Sequence, residues 1–532
     1  RVGPGPNYYI EKGRENLLLQ SNAFNVSPWT PSNTTLTSGQ SGYDGSSDAW
    51  LLETNGTQFA SNIQSLSSSG VKTQSVYAKA GTLDFIILYA ASAASPRVWF
   101  NLSNGTIGSS PGGAFGASIQ DVGNGWYRCS FVNSDSTTNF RIYPTGADNT
   151  FTTTAGNILI QDAQLEQGLV ATPYIETGAT TAQAGILENT PRFDYSGGAT
   201  CPSLLLEPSR TNLITQSEYF DVWEIQDGAI VSSNTQETLS PEGVYNASIL
   251  TALASASSAR FFRFSTNTGL TYTSSVFLKT KDSGRSTIQI FGGGSEILTI
   301  DWNNGVPSTN FTQFNEAAIY EPYGNGWYRV IQVFDAFSTS TRMYLYPDRI
   351  NGNNSIYVFG AQIEEASYPT SYIPTYGVSQ TRAADSAYKS GQTANIGQTE
   401  GTIFLEVKAS NINSDIIGVN QNVTNGLQIF KNVSNFFKAQ IYAGGTGISL
   451  GDNTSVTDTA KVALVYKSGD SSLFVNGAQV QTSATTFTFS GALDLVQFQG
   501  NFFAGIGTNE INQTLFFPTA LSDADCITLT TL

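Results

Sequence analysis

The pentapeptide Asn-Gly-Trp-Tyr-Arg occupies residues 124–128 and occurs again, unchanged, at residues 325–329. Asn-Gly is a strong signal for a tight hairpin turn, because both residues tolerate positive φ. After the turn the sequence alternates in the manner of a strand, beginning at Trp126 in one place and at Trp327 in the other. This recurrence predicts a β-hairpin that the chain builds twice, 201 residues apart.

Three further blocks recur in the same order around the pentapeptide, with offsets of 196 to 200 residues. They are Asn-Leu-Leu-Leu-Gln-Ser at 16–21 with Asn-Leu-Ile-Thr-Gln-Ser at 212–217, Ser-Val-Tyr-Ala-Lys at 75–79 with Ser-Val-Phe-Leu-Lys at 275–279, and Ala-Gln-Leu-Glu at 163–166 with Ala-Gln-Ile-Glu at 361–364. Loop insertions in a duplicated domain produce such a small drift. The repeated unit of about 160 residues is far longer than a solenoid repeat.

Within each copy the residues are typical of a β-sandwich. Short runs rich in Val, Ile, Tyr and Phe, such as 126–131 and 157–160, are separated by clusters of Gly, Asn and Ser. Sustained apolar spacing of the helical kind is hard to find. We therefore expect an all-β protein with few helices.

The order of these motifs resembles that of carbohydrate-binding-module-like jelly rolls in phage tail fibres. In both copies a Trp follows the first block, and a Thr-x-Tyr-Ile segment closes the unit. These are Trp29 and Trp223, with the closing segments at 172–175 and 370–373. The second copy departs from the pattern at Ser371, where the family has proline. The resemblance covers 15–177 and 211–376, and it implies two jelly-roll sandwiches related by internal duplication.

The segments that precede the two copies resemble connectors of phage fibre and virion proteins. Between the copies, Arg-Phe-Asp-Tyr-Ser-Gly-Gly at 192–198 is followed by Leu-Leu-Leu-Glu-Pro-Ser-Arg-Thr-Asn at 204–212. We therefore expect a connector over 178–210 and the remnant of an equivalent connector over 1–14.

The final third of the chain has a different pattern. Residues 377–399 are polar and predict a linker. A strand–turn–strand pattern over 462–477, and the apolar strand and Ala-Leu-Ser-Asp-Ala-Asp segment within 515–525, resemble the concanavalin A-like (laminin-G-like) lectin sandwich. We expect this sandwich over 400–532. The predicted fold class is all-β, with three β-sandwich (jelly-roll) domains in tandem, the first two an internal duplication and the third concanavalin A-like.

The composition of the 532 residues argues against several classes of function. Charged residues make up only 12% and the formal net charge is −16, so a nucleic-acid partner is not expected. No apolar stretch approaches the roughly 20 residues that span a bilayer, so membrane insertion is not expected either. The absence of histidine removes the usual general base and the commonest zinc ligand. Cys129, Cys201 and Cys526 form no CxxC pair, and we expect three small buried hydrophobic residues.

Candidate ligand contacts come from the tryptophans, because protein sites for small ligands combine aromatic rings with a few placed polar groups. Trp126 and Trp327 lie beside the repeated hairpin turn, and Trp302 lies in an Asp-Trp-Asn-Asn-Gly segment. Each also has an alternative interpretation as a packing residue, since a Trp beside a turn has a sufficient reason to be buried.

Glu166 and Glu364 end the same repeated block and are candidate ligands for a structural calcium ion, the one cofactor that the sequence leaves open. Their alternative role is to hydrogen-bond and cap the sheet edge. No catalytic residue is expected, because a glycoside hydrolase needs a matched pair of carboxylates and the sequence shows no such pattern.

The resemblance implies a non-enzymatic protein of the virion surface: a phage tail fibre or similar appendage that binds host-surface glycans and contacts other virion proteins. Phage fibres are commonly homotrimers, so the resemblance also implies a trimer. Two alternatives remain open. One is a capsid-attached fibre or decoration protein, and the other is a secreted polysaccharide-active enzyme with binding modules.

Overall fold

The computed structural model confirms the all-β class. It describes residues 10, 12–151, 154–187, 190–195, 201–253, 258–349, 351–409, 414–420, 424–451, 453–456, 459–500 and 507–532. The chain divides into two compact units. One contains both copies of the repeat, within Tyr9–Glu188 and Thr211–Gln380, and the other contains Asn189–Arg210 and Thr381–Leu532. We call the two copies the first and second modules and the sandwich of the other unit the third sandwich.

The described elements are as follows, in chain order. Up to the second module they are β1 (Arg14–Asn16), β2 (Trp29–Ser32), β3 (Thr34–Gln40), β4 (Ala49–Asn55), β5 (Ser61–Ser68), β6 (Lys72–Ala80), β7 (Phe85–Ala91), β8 (Arg97–Asn101), β9 (Thr106–Ile107), β10 (Phe115–Gly123), β11 (Trp126–Asn133), β12 (Thr137–Thr145), β13 (Ala155–Gln167), β14 (Ala182–Ala184), β15 (Phe193–Asp194) and β16 (Ser203–Leu206). Then come β17 (Arg210–Asn212), a 3-10 turn (Phe220–Val222), β18 (Glu224–Gln226), β19 (Ile230–Ser232), β20 (Ser248–Thr251), β21 (Ala259–Ser265), β22 (Thr271–Thr280), β23 (Arg285–Phe291), β24 (Ser295–Asn303), β25 (Val306–Thr312), β26 (Ile319–Pro322), β27 (Tyr328–Asp335), β28 (Ser340–Tyr346), β29 (Ser355–Glu364) and β30 (Gln380–Arg382). The last are β31 (Ala387–Lys389), β32 (Glu400–Ala409), β33 (Ser414–Val419), β34 (Asn425–Lys431), β35 (Phe437–Ala443), β36 (Thr446–Gly451), β37 (Ala460–Lys467), β38 (Ser471–Val475), β39 (Ala478–Ser483), β40 (Val496–Phe498), β41 (Asn509–Phe517) and α1 (Asp523–Thr530).

Each module is a sandwich of two six-stranded sheets. In the first module, the first sheet has the order β3-β4-β13-β6-β11-β10 and the second sheet has the order β2-β5-β12-β7-β8-β9. The second module repeats both orders with every strand number raised by sixteen: β19-β20-β29-β22-β27-β26 and β18-β21-β28-β23-β24-β25. The duplication predicted from the sequence is therefore a duplication of the whole strand topology.

Alternation along the strands decides which side of each sheet enters the core. In β6, Val76 and Ala78 belong to the hydrophobic core of the first module, whereas Tyr77 between them packs in a separate cluster on the outer side of the sheet. Successive residues of a strand point to opposite faces, so one strand serves two surfaces. Each sheet thus has a core side and an outer side, and a ligand can reach only the outer side.

A bulge interrupts the last long strand of each module at the same place. In β13 the pairing with β6 slips between Gln161 and Gln164, and Asp162 within the slip has a φ of 53°. At the matching slip in β29, Gly360 also has a φ of 53°. Left-handed backbone is open to Gly and tolerated by Asp, which explains how two such different residues occupy one position.

A buried asparagine closes the first module. The Asn16 side-chain nitrogen donates to the carbonyl oxygens of Ala163 at 3.2 Å and Ile175 at 2.8 Å. Its side-chain oxygen accepts from the backbone amides of Leu18 and Leu165, both at 3.1 Å. One side chain therefore joins the start of the module to its last long strand and to its closing segment.

The second module is closed by the same four hydrogen bonds around Asn212. Their partners are the carbonyls of Ala361 at 3.1 Å and Ile373 at 2.9 Å, and the amides of Ile214 and Ile363, both at 3.1 Å. The Gln of each repeated Ala-Gln-x-Glu block takes part as well. Gln164 accepts a hydrogen bond from the backbone amide of Ile175 at 2.7 Å, and Gln362 accepts one from that of Ile373 at 2.6 Å. The repeated blocks of the sequence thus form the closure of each module.

The third sandwich has a seven-stranded sheet, β15-β16-β41-β32-β37-β38-β39, and a six-stranded sheet, β31-β40-β33-β34-β35-β36. Its strands β15 and β16 come from within 178–210, where the sequence predicts a connector. Strand β16 pairs with β41, with Leu204 opposite Ile511. Leu206 is buried in the core of this sandwich. The segment between the modules is therefore also a structural part of the C-terminal unit.

Buried ion pairs hold this segment in place. Glu207 is buried and accepts from Arg192 at 2.6 Å and from Arg382 at 3.0 Å. Arg192 also pairs with Asp385, which accepts the backbone amide of Glu207 at 2.7 Å. A buried carboxylate is tolerated only when it is paired and hydrogen-bonded, and Glu207 meets this condition with two guanidinium groups.

The cysteines are placed differently from one another. Cys129 is buried, as predicted, and Cys526 of α1 is buried against the seven-stranded sheet. The prediction for Cys201 was wrong, because this residue is exposed in the segment ahead of β16 and outside the core. The described residues include no helix that is long and apolar enough to cross a membrane.

Replacing Asn212 by alanine should destabilise the unit that contains both modules by about 3 kcal/mol, because two amides and two carbonyls lose their partner inside the protein. Tryptophan fluorescence during urea unfolding measures this, since all seven tryptophans lie in that unit. The matched control is Asn303→Ala, which changes an exposed asparagine at the end of β24 and should stay within about 0.5 kcal/mol of the wild type. Equal effects of the two changes would contradict the closing role of Asn212.

Candidate functional site

The three tryptophans predicted as ligand contacts are packing residues in this structure. Trp126 and Trp327 are each 1% exposed, and the Trp327 ring nitrogen donates to the Leu239 carbonyl at 2.8 Å. Trp302 is 7% exposed in the core of the second module, where its ring nitrogen donates to the Ser286 hydroxyl at 2.9 Å. None of the three presents an open ring face to a sugar. The alternative interpretation, packing, describes all three positions.

Glu166 and Glu364 are also engaged within the protein. Glu166 accepts the backbone amide of Thr172 at 2.8 Å and the Thr172 hydroxyl. Glu364 accepts the backbone amide of Thr370 at 2.9 Å and the Thr370 hydroxyl. The carboxylate oxygens of Glu166 and Glu364 therefore accept hydrogen bonds from N–H and O–H groups of the protein. Both residues cap the closing segment of their module, in agreement with the alternative interpretation as hydrogen-bonding caps. Among the described residues, no group of three or more acidic or sulfur side chains is placed to hold a metal ion.

The first module covers the outer side of its first sheet with a loop. Tyr43 stacks on Tyr77 with ring centroids 3.7 Å apart, and its hydroxyl donates to Asp162 at 3.0 Å. Burial raises the pKa of Asp162 to about 7. The hydrogen bond from Tyr43 works against this shift, whereas the charges of Asp48 and Asp44 support it. Tyr43 thus covers Asp162, which is buried, whereas Asp44 and Asp48 are exposed.

The second module covers the same surface with the segment that precedes the first module. The amide of Ile10 donates to the Pro241 carbonyl at 2.7 Å, and its side chain packs on the aromatic cluster of the first sheet. The Lys12 ammonium lies 3.1 Å from Glu218 and 2.6 Å from Glu242. Burial works to lower the pKa of Lys12, and the two carboxylates outweigh it, so this pKa lies well above its ordinary value. Both first sheets are therefore covered, and the outer sides of the second sheets are the candidate site.

The outer side of each second sheet carries one cross-strand row that contains arginine and aromatic side chains. In the first module the row crosses β5, β12, β7 and β8 as Ile63, Arg141, Tyr89 and Arg97, each opposite the next. In the second module it crosses β21, β28, β23 and β24 as Arg263, Arg342, Phe291 and Ser295. Opposite residues on one face of a sheet interact directly, so each row is a unit. We call the surface around each row the arginine–aromatic face.

In the first module the Tyr89 ring lies between two guanidinium groups. The guanidinium carbons of Arg141 and Arg97 are 5.4 Å and 5.9 Å from the centroid of this ring. Arg141 donates to the Tyr143 hydroxyl at 3.2 Å, and Arg97 lies 5.5 Å from the centroid of the Trp99 ring. Cations over aromatic rings are attracted to the ring quadrupole, which holds both guanidinium groups in place.

In the second module Arg342 has the place of Arg141. Its guanidinium carbon lies 5.7 Å from the centroid of the Phe261 ring and 5.8 Å from that of Phe291, and it donates to the Tyr344 hydroxyl at 3.4 Å. Phe291 is 38% exposed, so part of its ring is open to a ligand. The same arrangement of a guanidinium group, a tyrosine hydroxyl and aromatic rings thus occurs in both modules.

The sequence contained a signal for these faces that our sequence analysis missed. Arg-x-Tyr at 141–143 recurs at 342–344 with the offset of 201 residues that the pentapeptide has. Alternation places the Arg and the Tyr of such a tripeptide on one side of a strand. The sequence could not show that this side is the outer one, because that depends on which strands pair.

No protein-family model matches this chain, and no curated protein is similar to it at a significant level. Similar solved structures include the CBM22-1-CBM22-2 tandem domain of Xyn10C from Paenibacillus barcinonensis, with 11% identity, coverage of 68% of this chain and 99% of that chain, and a TM-score of 0.22. They also include domains LG4-5 of the mouse laminin alpha1 chain (11% identity, 63% and 94% coverage, TM-score 0.19) and the LG1-3 region of the laminin alpha2 chain (10% identity, 87% and 96% coverage, TM-score 0.21). TM-scores this low support no inference about function.

Replacing Asp162 by asparagine should flatten the dependence of stability on pH. The folded-state pKa of Asp162 is raised from 3.8 to about 7, so the stability that this group contributes is full below pH 3.8 and is lost as the pH rises through 7. The wild type should therefore lose stability over this window, whereas Asp162→Asn should lose less and should be the more stable protein at pH 8. Urea midpoints followed by tryptophan fluorescence measure both. The control is Asp84→Asn, which removes an exposed carboxyl of the same module. If the urea midpoint of Asp162→Asn changed with pH as steeply as that of the wild type, Asp162 would not be the cause of the pH dependence.

Proposed function

We propose that this chain is a non-enzymatic glycan-binding protein of a virion surface, a phage tail fibre or similar appendage. The observation that carries glycan binding is the arginine–aromatic face, which is present at the same place in two modules. Rings that are partly open, such as Phe291, supply apolar area for a sugar ring, and guanidinium groups supply donors for its oxygens. The affinity of a single module for the glycan can be low, because the chain carries two such faces.

Duplication favours binding to a polymer with repeating units. Two linked sites convert the second binding event into an intramolecular one, and avidity can then exceed the affinity of either site by a factor of about 10² to 10⁴. A host-surface polysaccharide offers many copies of one epitope, and a trimeric fibre would triple the number of faces. The partners of the chain in this proposal are a host-surface glycan and other virion proteins.

A role without catalysis is favoured by the way in which Asp162 of the first module is covered. Hydrolysis of a glycosidic bond needs two carboxyl groups that flank the bond in an open cleft. Burial raises the pKa of Asp162 to about 7, but its carboxylate is buried and accepts a hydrogen bond from Tyr43, whose ring stacks on Tyr77. The virion assignment is supported by the motif order and the connector, which resemble those of phage fibre proteins.

Glycan binding is tested by removing the aromatic member of both rows. The double change Tyr89→Ala and Phe291→Ala should weaken binding of the full chain to its hits on a glycan array by about tenfold or more, because avidity through two faces is lost. The control is Tyr245→Ala, which removes an exposed ring of the second module away from the row. Unchanged binding in the double variant would remove the arginine–aromatic faces from the proposal.

The place of the chain on a particle is tested by electron microscopy of phage particles labelled with antibodies against this protein. We expect label on the tail, since the modules and the connector resemble those of tail fibres. Label on the capsid would instead favour the decoration protein. Absence of label from purified particles would contradict the virion assignment and favour the secreted protein.

A further inference from the structure

Among the described residues, three of the four arginines in the two rows have no carboxylate partner. Elsewhere in the second module Arg285 pairs with Asp301 at 2.7 Å, and in the row Arg263 pairs with Glu224 at 3.2 Å. Arg97, Arg141 and Arg342, in contrast, form no ion pair within the described part of the chain. Three guanidinium groups of one surface type thus have no carboxylate partner in the described ranges, although the chain has a net charge of −16.

The two guanidinium groups in the row of the first module also have few hydrogen-bond acceptors among the described residues. Each guanidinium carries five N–H donors. Among the described residues, Arg97 donates to the Ser95 carbonyl at 2.9 Å and Arg141 donates to the Tyr143 hydroxyl at 3.2 Å. The Nε–H group of each is buried and has no acceptor there. Two half-buried cations with few protein acceptors therefore flank the half-buried ring of Tyr89.

Holding these cations side by side has a cost that a bound anion would remove. Arg97 and Arg141 both lie within 6 Å of the centroid of the Tyr89 ring. In the second module Arg263 and Arg342 are directly opposite each other on neighbouring strands. Like charges in such positions repel, and the carboxylate of Glu224 relieves this repulsion only in the second module.

We infer that the ligand of both faces is an acidic glycan with carboxylate groups, and this inference rests on the proposed function. The guanidinium fork matches a carboxylate with two parallel hydrogen bonds, and an aromatic ring beside it accommodates a sugar ring. A uronic acid unit combines both chemical features in one residue. Arg141 and Arg342 bind the carboxylates, while Tyr89 and Phe291 contact the sugar rings.

The test measures binding of the full chain to polygalacturonate, alginate and hyaluronan, each compared with its carboxyl-reduced form. We expect at least one of the acidic polymers to bind about tenfold more tightly than its neutral form, which corresponds to one charge-assisted contact. Binding of this polymer should weaken as NaCl concentration rises. A sulfated dextran should bind more weakly than the uronate polymer, since sulfate does not present the planar carboxylate.

Variants assign the preference to residues. Arg141→Gln and Arg342→Gln should each reduce the preference for the acidic polymer, the double variant should abolish it, and Arg141→Lys should retain part of it by keeping the charge. The matched control is Arg285→Gln, which removes an arginine already paired with Asp301 on the same module. Circular dichroism of each variant verifies that the fold is retained.

The outcomes separate this inference from the proposed function. Equal binding of the acidic and reduced forms, or an unchanged preference in the double variant, would overturn the acidic ligand and leave glycan binding in place. Tighter binding of the sulfated dextran would overturn the assignment of a carboxylate. If none of the acidic or neutral polymers binds, the acidic ligand is overturned together with glycan binding on these faces.

Discussion

The fold of each module depends on one buried asparagine. Asn16 and Asn212 each make four hydrogen bonds to backbone groups that belong to the beginning, the last long strand and the closing segment of the module. Buried backbone groups left without partners would cost far more than the net gain of a single hydrogen bond. The three segments must therefore be present together, and this requirement explains why they recur as blocks in the sequence.

Local patterns in the sequence predicted local structure well. The Asn-Gly turns are present as expected, with φ of 54° at Asn124 and 77° at Gly125, and 49° at Asn325 and 76° at Gly326. The duplicated topology follows from the same blocks, because they mark corresponding strands. What the blocks do was harder to predict. The polar residues of the repeated blocks bind the backbone of their own module, so the blocks recur because they close the fold. The candidate ligand surface lies elsewhere, on the second sheet of each module.

Features that depend on distant pairing could not be predicted from the sequence. Strand β16 pairs with a strand more than 300 residues further along the chain, and its short apolar run looks like part of a connector when read alone. Lys12 lies before the first module, yet its partners Glu218 and Glu242 belong to the second. The burial of Trp302 is a third case, because the sheets that form around a strand decide whether its residues point inward or outward.

The two arginine–aromatic faces come from one duplicated domain but differ in charge. They can differ because the asparagine that closes each module lies apart from the row. Among the described residues, none of the hydrogen bonds of the closing asparagine involves a residue of the row, so a change in the row leaves these bonds in place. In the first module Arg97 and Arg141 flank a tyrosine and have no carboxylate partner among the described residues. In the second module Ser295 stands at the position of Arg97, and Glu224 neutralises Arg263. For the acidic glycan that we infer, the first face would therefore provide more unpaired positive charge than the second.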